Sequence, residues 1–189
     1  MPRRQNPQPA PAARQRGLTL VEMLAALAVL LVILGSAIPS FRAAFERREL
    51  EAATAQLSVD LRLARSLATS LGRDVRVSFA HDPASGSCYV IHTGGAGQCR
   101  CSPNAGEAAT ACRDGAVAHR VAQFGSDSRV RLIANVRSML IDDDLGTVTP
   151  TGTLRWQTAG SGGLNQVVNL HGRVRVCSPQ GQVPGYRAC

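Results

Sequence analysis

An uncharged apolar run headed by a single carboxylate constrains this chain more than any other feature. From Met23 to Phe41 there are 19 residues without a formal charge, and Glu22 stands directly before them. As a helix, such a run covers about 28 Å, close to the hydrocarbon thickness of a bilayer. A carboxylate in a membrane segment is costly unless it is partnered, so Glu22 calls for a specific counter-charge, and a free amino terminus is the obvious one. A secretory signal peptide would be cut after its apolar run. Here the polar leader Met1–Gly17 ends before the run begins, so a cut after Gly17 would leave the helix attached.

The leader carries Arg3, Arg4, Arg14 and Arg16 and no acid. Positive-inside reasoning keeps it cytoplasmic and exports the rest. All 21 basic residues are Arg; removing the leader takes four of them and none of the 13 acids, leaving a formal +4. A surface whose cations are all planar guanidinium forks suits phosphate or carboxylate. The portion beyond the membrane is the size of one domain with a modest core.

Export places Cys88, Cys99, Cys101, Cys112, Cys177 and Cys189 in an oxidising compartment, where an even set reads as a disulfide framework. Cys177 with Cys189 is the preferred pair, because it ties the carboxyl terminus back to the last strand; the remaining pairing stays open. The competing reading is a zinc site built from Cys99, Cys101 and Cys112 with His92 and His119, although two CxxC knuckles are absent.

Leu50, Ala53, Leu57, Leu61, Ala64, Ala68 and Leu71 recur at three- and four-residue steps, with Arg47, Glu51, Arg62 and Arg65 largely off that stripe. This predicts a long amphipathic helix ending at Gly72. From Asp74 the period becomes two. Strands are expected at 75–79, 87–93, 118–124, 129–133, 138–141, 152–157, 166–170 and 173–177, the first two forming a hairpin around 82–86. Residues 94–115 read as a surface insertion held by disulfides. Gly94-Gly95-Ala96-Gly97 lacks what a phosphate loop needs after it. The fold class is therefore α+β, one long amino-terminal helix against antiparallel sheets.

Gly17, Leu18 and Glu22 together resemble the signature of the type IV prepilin family, which includes the pseudopilins of type II secretion: a Gly, a cut, a hydrophobic first residue and Glu at the fifth mature position. The family more often has Phe where this chain has Leu18. The resemblance implies cleavage between Gly17 and Leu18 by a prepilin peptidase, methylation of the new terminus at Leu18, and assembly with other pilin or pseudopilin subunits in which Glu22 neutralises a neighbour's amino terminus. It divides the chain into a cleaved leader at 1–17, a transmembrane helix at 18–41 and a periplasmic globular domain at 42–189. Such a subunit sits in the inner membrane by a single pass and then in a filament. Within the family the plan is similar to the GspH/FimT branch of minor pilins and pseudopilins.

The most specific distal match is Gly172-Arg173-Val174-Arg175, the Gly-Arg-x-Arg motif of FimT-like pilins, where it implies binding of incoming DNA during natural transformation. Physical reading supports phosphate contact. On a strand, Arg173 and Arg175 project to one side about 6.6 Å apart. The 44 residues from Gly146 to Cys189 contain Arg155, Arg173, Arg175 and Arg187 and no Asp or Glu. These four are the candidate DNA contacts, sequence-independent and salt-sensitive. The other readings are a solvated strand face with ion pairs to acidic residues elsewhere, for instance Asp142-Asp143-Asp144, a GspH-like pseudopilin, and a purely structural minor pilin that primes assembly.

The Asp run itself is either a calcium cluster or, for want of alternating spacing, a solvated turn. Trp156 and Tyr186 are read as core or rim residues and, alternatively, as base-stacking groups. His81, His92, His119 and His171 are scattered and no nucleophile elbow or metalloprotease helix occurs, so no enzyme, cofactor or metal is expected.

Overall fold

The computed structural model describes residues 17, 19–104, 109–158, 160 and 162–189, without the side chains at 36, 37, 39 and 40. Leu18 and the leader arginines lie outside the described residues. The chain divides into two compact units, Met1–Ser40 and Phe41–Cys189, and one helix, α1 (Leu20–Leu71), contributes to both.

In the first unit, Gly17 is exposed and non-helical. The Glu22 backbone N–H donates to Thr19 Oγ1 at 3.3 Å, which makes Thr19 the N-cap and Glu22 the N3 residue of a Thr-x-x-Glu start. The side chains that follow, such as Leu24, Leu27, Leu31 and Val32, are at least half exposed within the chain. Among the described residues no helix is long and apolar enough to cross a membrane; the four undescribed side chains fall inside the uncharged run.

In the second unit the amphipathic stripe works as read. Leu50, Ala53, Leu57, Leu61, Ala64 and Ala68 are buried, and each fully buried Leu contributes roughly 2 kcal/mol of apolar transfer. Leu71 departs from the stripe and is exposed, because α1 closes there. Gly72 takes φ +58° and the Arg73 N–H donates to the Ala68 carbonyl at 3.4 Å, a Schellman ending that only a left-handed residue allows.

Among the described residues eleven strands follow: β1 (Val75–Asp82), β2 (Gly86–Thr93), β3 (Cys99–Cys101), β4 (Thr110–Cys112), β5 (Ala118–Gly125), β6 (Val130–Ala134), β7 (Ser138–Ile141), β8 (Val148–Thr149), β9 (Gly152–Thr158), β10 (Gly163–Val168) and β11 (Val174–Cys177). They form a five-stranded sheet ordered β5-β2-β1-β7-β8, a four-stranded sheet ordered β11-β10-β9-β6, and the pair β3-β4. All the strand pairings are antiparallel. Both large sheets turn alternate side chains into one core with α1, including Val75, Val77, Tyr89, Leu132, Leu154 and Trp156.

Polar groups set the helix register on the sheets. Trp156 Nε1 donates to Gln166 Oε1 at 2.6 Å, and Gln166 Nε2 donates to the Thr54 carbonyl at 2.9 Å and Ser58 Oγ at 2.7 Å. Tyr89 Oη donates to Asp60 Oδ2 at 2.6 Å, and Arg120 pairs with the same oxygen at 3.4 Å. The Tyr89 phenol is pushed far above its ordinary pKa by burial first and by Asp60 second. Leaving any of these buried groups unpaired would cost about 1–3 kcal/mol, so sliding the helix is penalised.

Two expectations need correction. Residues 94–115 are more than a surface loop: they contain β3 and β4, and Cys99 and Cys101 pack with Cys88 and Val90 in a second small core. The strand expected at 166–170 lies at Gly163–Val168, because Asn169 starts the turn into β11: the Gly172 N–H donates to its carbonyl at 2.8 Å and the Arg173 N–H to its Oδ1 at 2.8 Å. Leu170 has left the ladder, and its carbonyl accepts from the Val148 N–H at 2.7 Å.

Candidate functional site

The Gly-Arg-x-Arg segment sits on the β10–β11 turn and the edge strand β11. Arg173 and Arg175 are exposed and Val174 and Val176 pack toward the core, the alternation read from the sequence. Gly172 is conformationally required. Its φ is +65°, and a Cβ there would collide with the Arg65 guanidinium and crowd Val148.

That guanidinium builds the site. From α1, Arg65 Nη2 donates to the Gly146 carbonyl at 2.7 Å and to the His171 carbonyl, so one side chain joins the β7–β8 and β10–β11 turns. The off-stripe spacing of Arg65 gave no sign of this, since the bonds span 81 and 106 residues.

Arg155 lies on β9 opposite Asn165 of β10, and Arg175 lies opposite Val167. Arg187 is exposed; its carbonyl accepts from the Ser178 N–H at 2.8 Å, and Ser178 bridges to Ala188 in parallel. The Cys177–Cys189 disulfide fixes this terminal segment beside β11, the pair preferred from the sequence. Among the described residues the ion pairs are Arg47–Glu51, Arg120–Asp60 and Arg129–Glu49. None includes Arg155, Arg173, Arg175 or Arg187, so no pairing of the Arg pair with Asp142-Asp143-Asp144 is seen among the described residues.

Asp142 accepts on Oδ1 from the N–H groups of Asp144 (3.1 Å) and Leu145 (2.7 Å). This carboxylate organises its own turn, as the solvated-turn reading expects. Trp156 is fully buried and offers no face to a base; Tyr186 packs partly on the core, and burial followed by Glu51 raises its pKa. Cys88–Cys101 and Cys99–Cys112 are disulfides, so the zinc reading of these cysteines lacks free thiolates. His92 is fully buried, with Nε2 2.8 Å from Ser78 Oγ and Nδ1 3.1 Å from the Thr93 carbonyl. Burial lowers its pKa; Arg76 and His119 add to this, and the Thr93 bond opposes it.

The amino-terminal site comprises Gly17, the Thr19 cap and Glu22 at N3; Leu18 lies outside the described residues. A carboxylate at N3 complements the positive end of the helix dipole. The Thr-x-x-Glu spacing was there to be read as a capping signal.

The family model "Prokaryotic N-terminal methylation motif" matches residues 12–38. The chain carries the amino-terminal methylation motif of type IV pilins. Among solved structures, the type IV minor pilin FimU of Pseudomonas aeruginosa is 21% identical, covering 75% of this chain and 96% of that one with a TM-score of 0.51. A second crystal form of FimU gives 20% identity, coverage of 72% and 98%, and a TM-score of 0.49. The minor pseudopilin EpsH of the Vibrio cholerae type 2 secretion system gives 14%, 69% and 98%, and 0.44. Comparison with curated protein sequences finds no match.

Proposed function

We propose that this pilin-type chain is a minor type IV pilin that binds extracellular DNA for uptake in natural transformation. Prepilin peptidase cuts between Gly17 and Leu18, the Leu18 amine is methylated, and residues 18–41 anchor the subunit in the inner membrane with the globular part outside. Glu22, already at the positive end of α1, then meets the amine of a neighbouring subunit in the filament. The subunit performs no catalytic step.

The observation that carries the DNA reading is the exposed pair Arg173, at the end of the β10–β11 turn, and Arg175 on β11, both absent from the ion pairs among the described residues. Arg155 and Arg187 supply further phosphate contacts. Binding of this kind is sequence-independent and falls steeply with salt.

The test is a deletion strain complemented with wild-type or Arg173→Gln plus Arg175→Gln chain, scored for transformation, twitching and exoprotein secretion. The reading expects the double variant to restore filament functions and fail in transformation. Normal transformation with the double variant would remove the motif from the mechanism, and a secretion defect alone in the deletion strain would make the chain a pseudopilin.

A further inference from the structure

The outward face of the four-stranded sheet carries more than the motif. Along β9, Leu154 and Trp156 point to the core, so Thr153, Arg155 and Gln157 point outward. Leu164, Gln166 and Val168 of β10 point inward, leaving Asn165 and Val167 outside. On β6, Val130 and Leu132 are buried, and Arg131 shares the outward side with Ile133. Arg187 joins the same face beyond β11, because Ala188 bridges to the buried Ser178.

Register fixes how these cations lie. Arg131 is opposite Gln157, Arg155 is two residues further along β9, Arg175 is opposite Val167 two residues further again, and Arg173 lies just before β11, its N–H held by Asn169 Oδ1. With strands ~4.8 Å apart and ~3.4 Å per residue, the steps are ~8, ~12 and ~7 Å, and the diagonal from Arg131 to Arg173 is ~25 Å. Every charged side chain on β6, β9, β10 and β11 is an Arg. Arg131 uses one donor on the Pro83 carbonyl and keeps the rest of its fork. The Arg65 clamp holds the β10–β11 turn at the far end of the diagonal.

We infer that this whole sheet face, with Arg131 and Arg155 as well as the motif arginines, is a phosphate track for double-stranded DNA. The inference rests on the DNA-binding reading above and extends it to a residue, Arg131, outside the acid-free carboxyl end. Duplex is the form selected because none of the outward positions is aromatic. Single strands gain about 1–3 kcal/mol per base from stacking, which this face does not offer, whereas duplex presents a charge every ~1.7 Å of axis. Asn165, Thr153 and Gln157 lie among the guanidinium groups as neutral donors.

The test is fluorescence anisotropy of the full-length chain in nonionic detergent with a 30-bp duplex and with oligo(dT), from 50 to 200 mM NaCl. Five phosphate contacts give a slope of log K against log salt of about −4.5 on duplex, with duplex preferred. Arg131→Gln plus Arg155→Gln should flatten the slope by about 1.8 and weaken binding at least about tenfold, and Arg131→Lys plus Arg155→Lys should keep the slope. Arg155→Gln alone, at an exposed position, should flatten it by about 0.9, which keeps the test open if the double variant misfolds. An unchanged slope and affinity in Arg131→Gln plus Arg155→Gln, with binding lost in Arg173→Gln plus Arg175→Gln, overturns the track and leaves the DNA reading standing. Tighter binding to oligo(dT) overturns the duplex assignment. Failure of the wild-type chain to bind either probe defeats the DNA reading itself.

Discussion

The two large sheets share a core and differ in what lies on their other face. In the five-stranded sheet, β2 is buried at every position from Gly86 to Thr93, because the β3–β4 arm packs Cys99 and Cys101 over Cys88 and Val90. In the four-stranded sheet, β9 and β10 alternate buried with exposed or half-exposed positions, and the charged side chains facing outward are arginines. One outer face is sealed with two disulfides and a buried histidine; the other is left to solvent, with its arginines in none of the ion pairs among the described residues. The sealed face therefore supports the fold, and the open face is the one the proposed DNA contact uses.

The largest expected effect breaks the sealed side. Cys88→Ser plus Cys101→Ser should lower unfolding stability by about 3 kcal/mol, since the bridge closes a 13-residue separation. Denaturant titration reads this, and DNA affinity of the folded fraction should not change. Loss of DNA binding without loss of stability would reverse the assignment of the two faces.

Gly172→Ala comes next. Its left-handed φ costs a Cβ-bearing residue about 1–2 kcal/mol, and the collision with Arg65 must also be relieved. Thermal melting should show the loss, and Arg65→Ala made in the same chain should recover part of it. No difference between Gly172→Ala in the two backgrounds would place Arg65 away from the turn.

Arg173→Gln plus Arg175→Gln should change stability by less than about 0.5 kcal/mol, as exposed substitutions away from packing do. A larger loss in the same melt would give these arginines a structural role on the open face.

These contrasts separate what the sequence could disclose from what it could not. Helix stripe, period-two strands and the Cys177–Cys189 pairing were legible because each depends on local spacing or a short loop. The sealing of β2 was not, since Gly, Ala and Cys in the arm carry little apolar signal until the disulfides bring them together. Arg65 was invisible as a clamp for the same kind of reason: its partners are backbone carbonyls far along the chain, which no side-chain pattern marks. Arg131 was overlooked because only strand register places it on the face with Arg155. The Thr19 cap was present in the Thr-x-x-Glu spacing.

The smallest expected effect is a pH dependence from the sealed side. The free imidazole titrates near 6.5 and burial lowers His92 below that, so the unfolded chain takes up the proton first. Stability is complete above the unfolded value and is lost as pH falls through the folded one. Melting temperature should drop on acidification from pH 7.5 to 5, and His92→Asn should flatten the drop. A slope unchanged by His92→Asn would place the responsible group elsewhere.

The account as a whole depends on the chain being a processed pilin subunit, and intact mass spectrometry of the membrane-extracted protein tests that most directly. The account predicts a mature chain beginning at Leu18 with one methyl group on its amine and three disulfides. A mass that retains Met1–Gly17, or one that begins beyond Phe41, would contradict it.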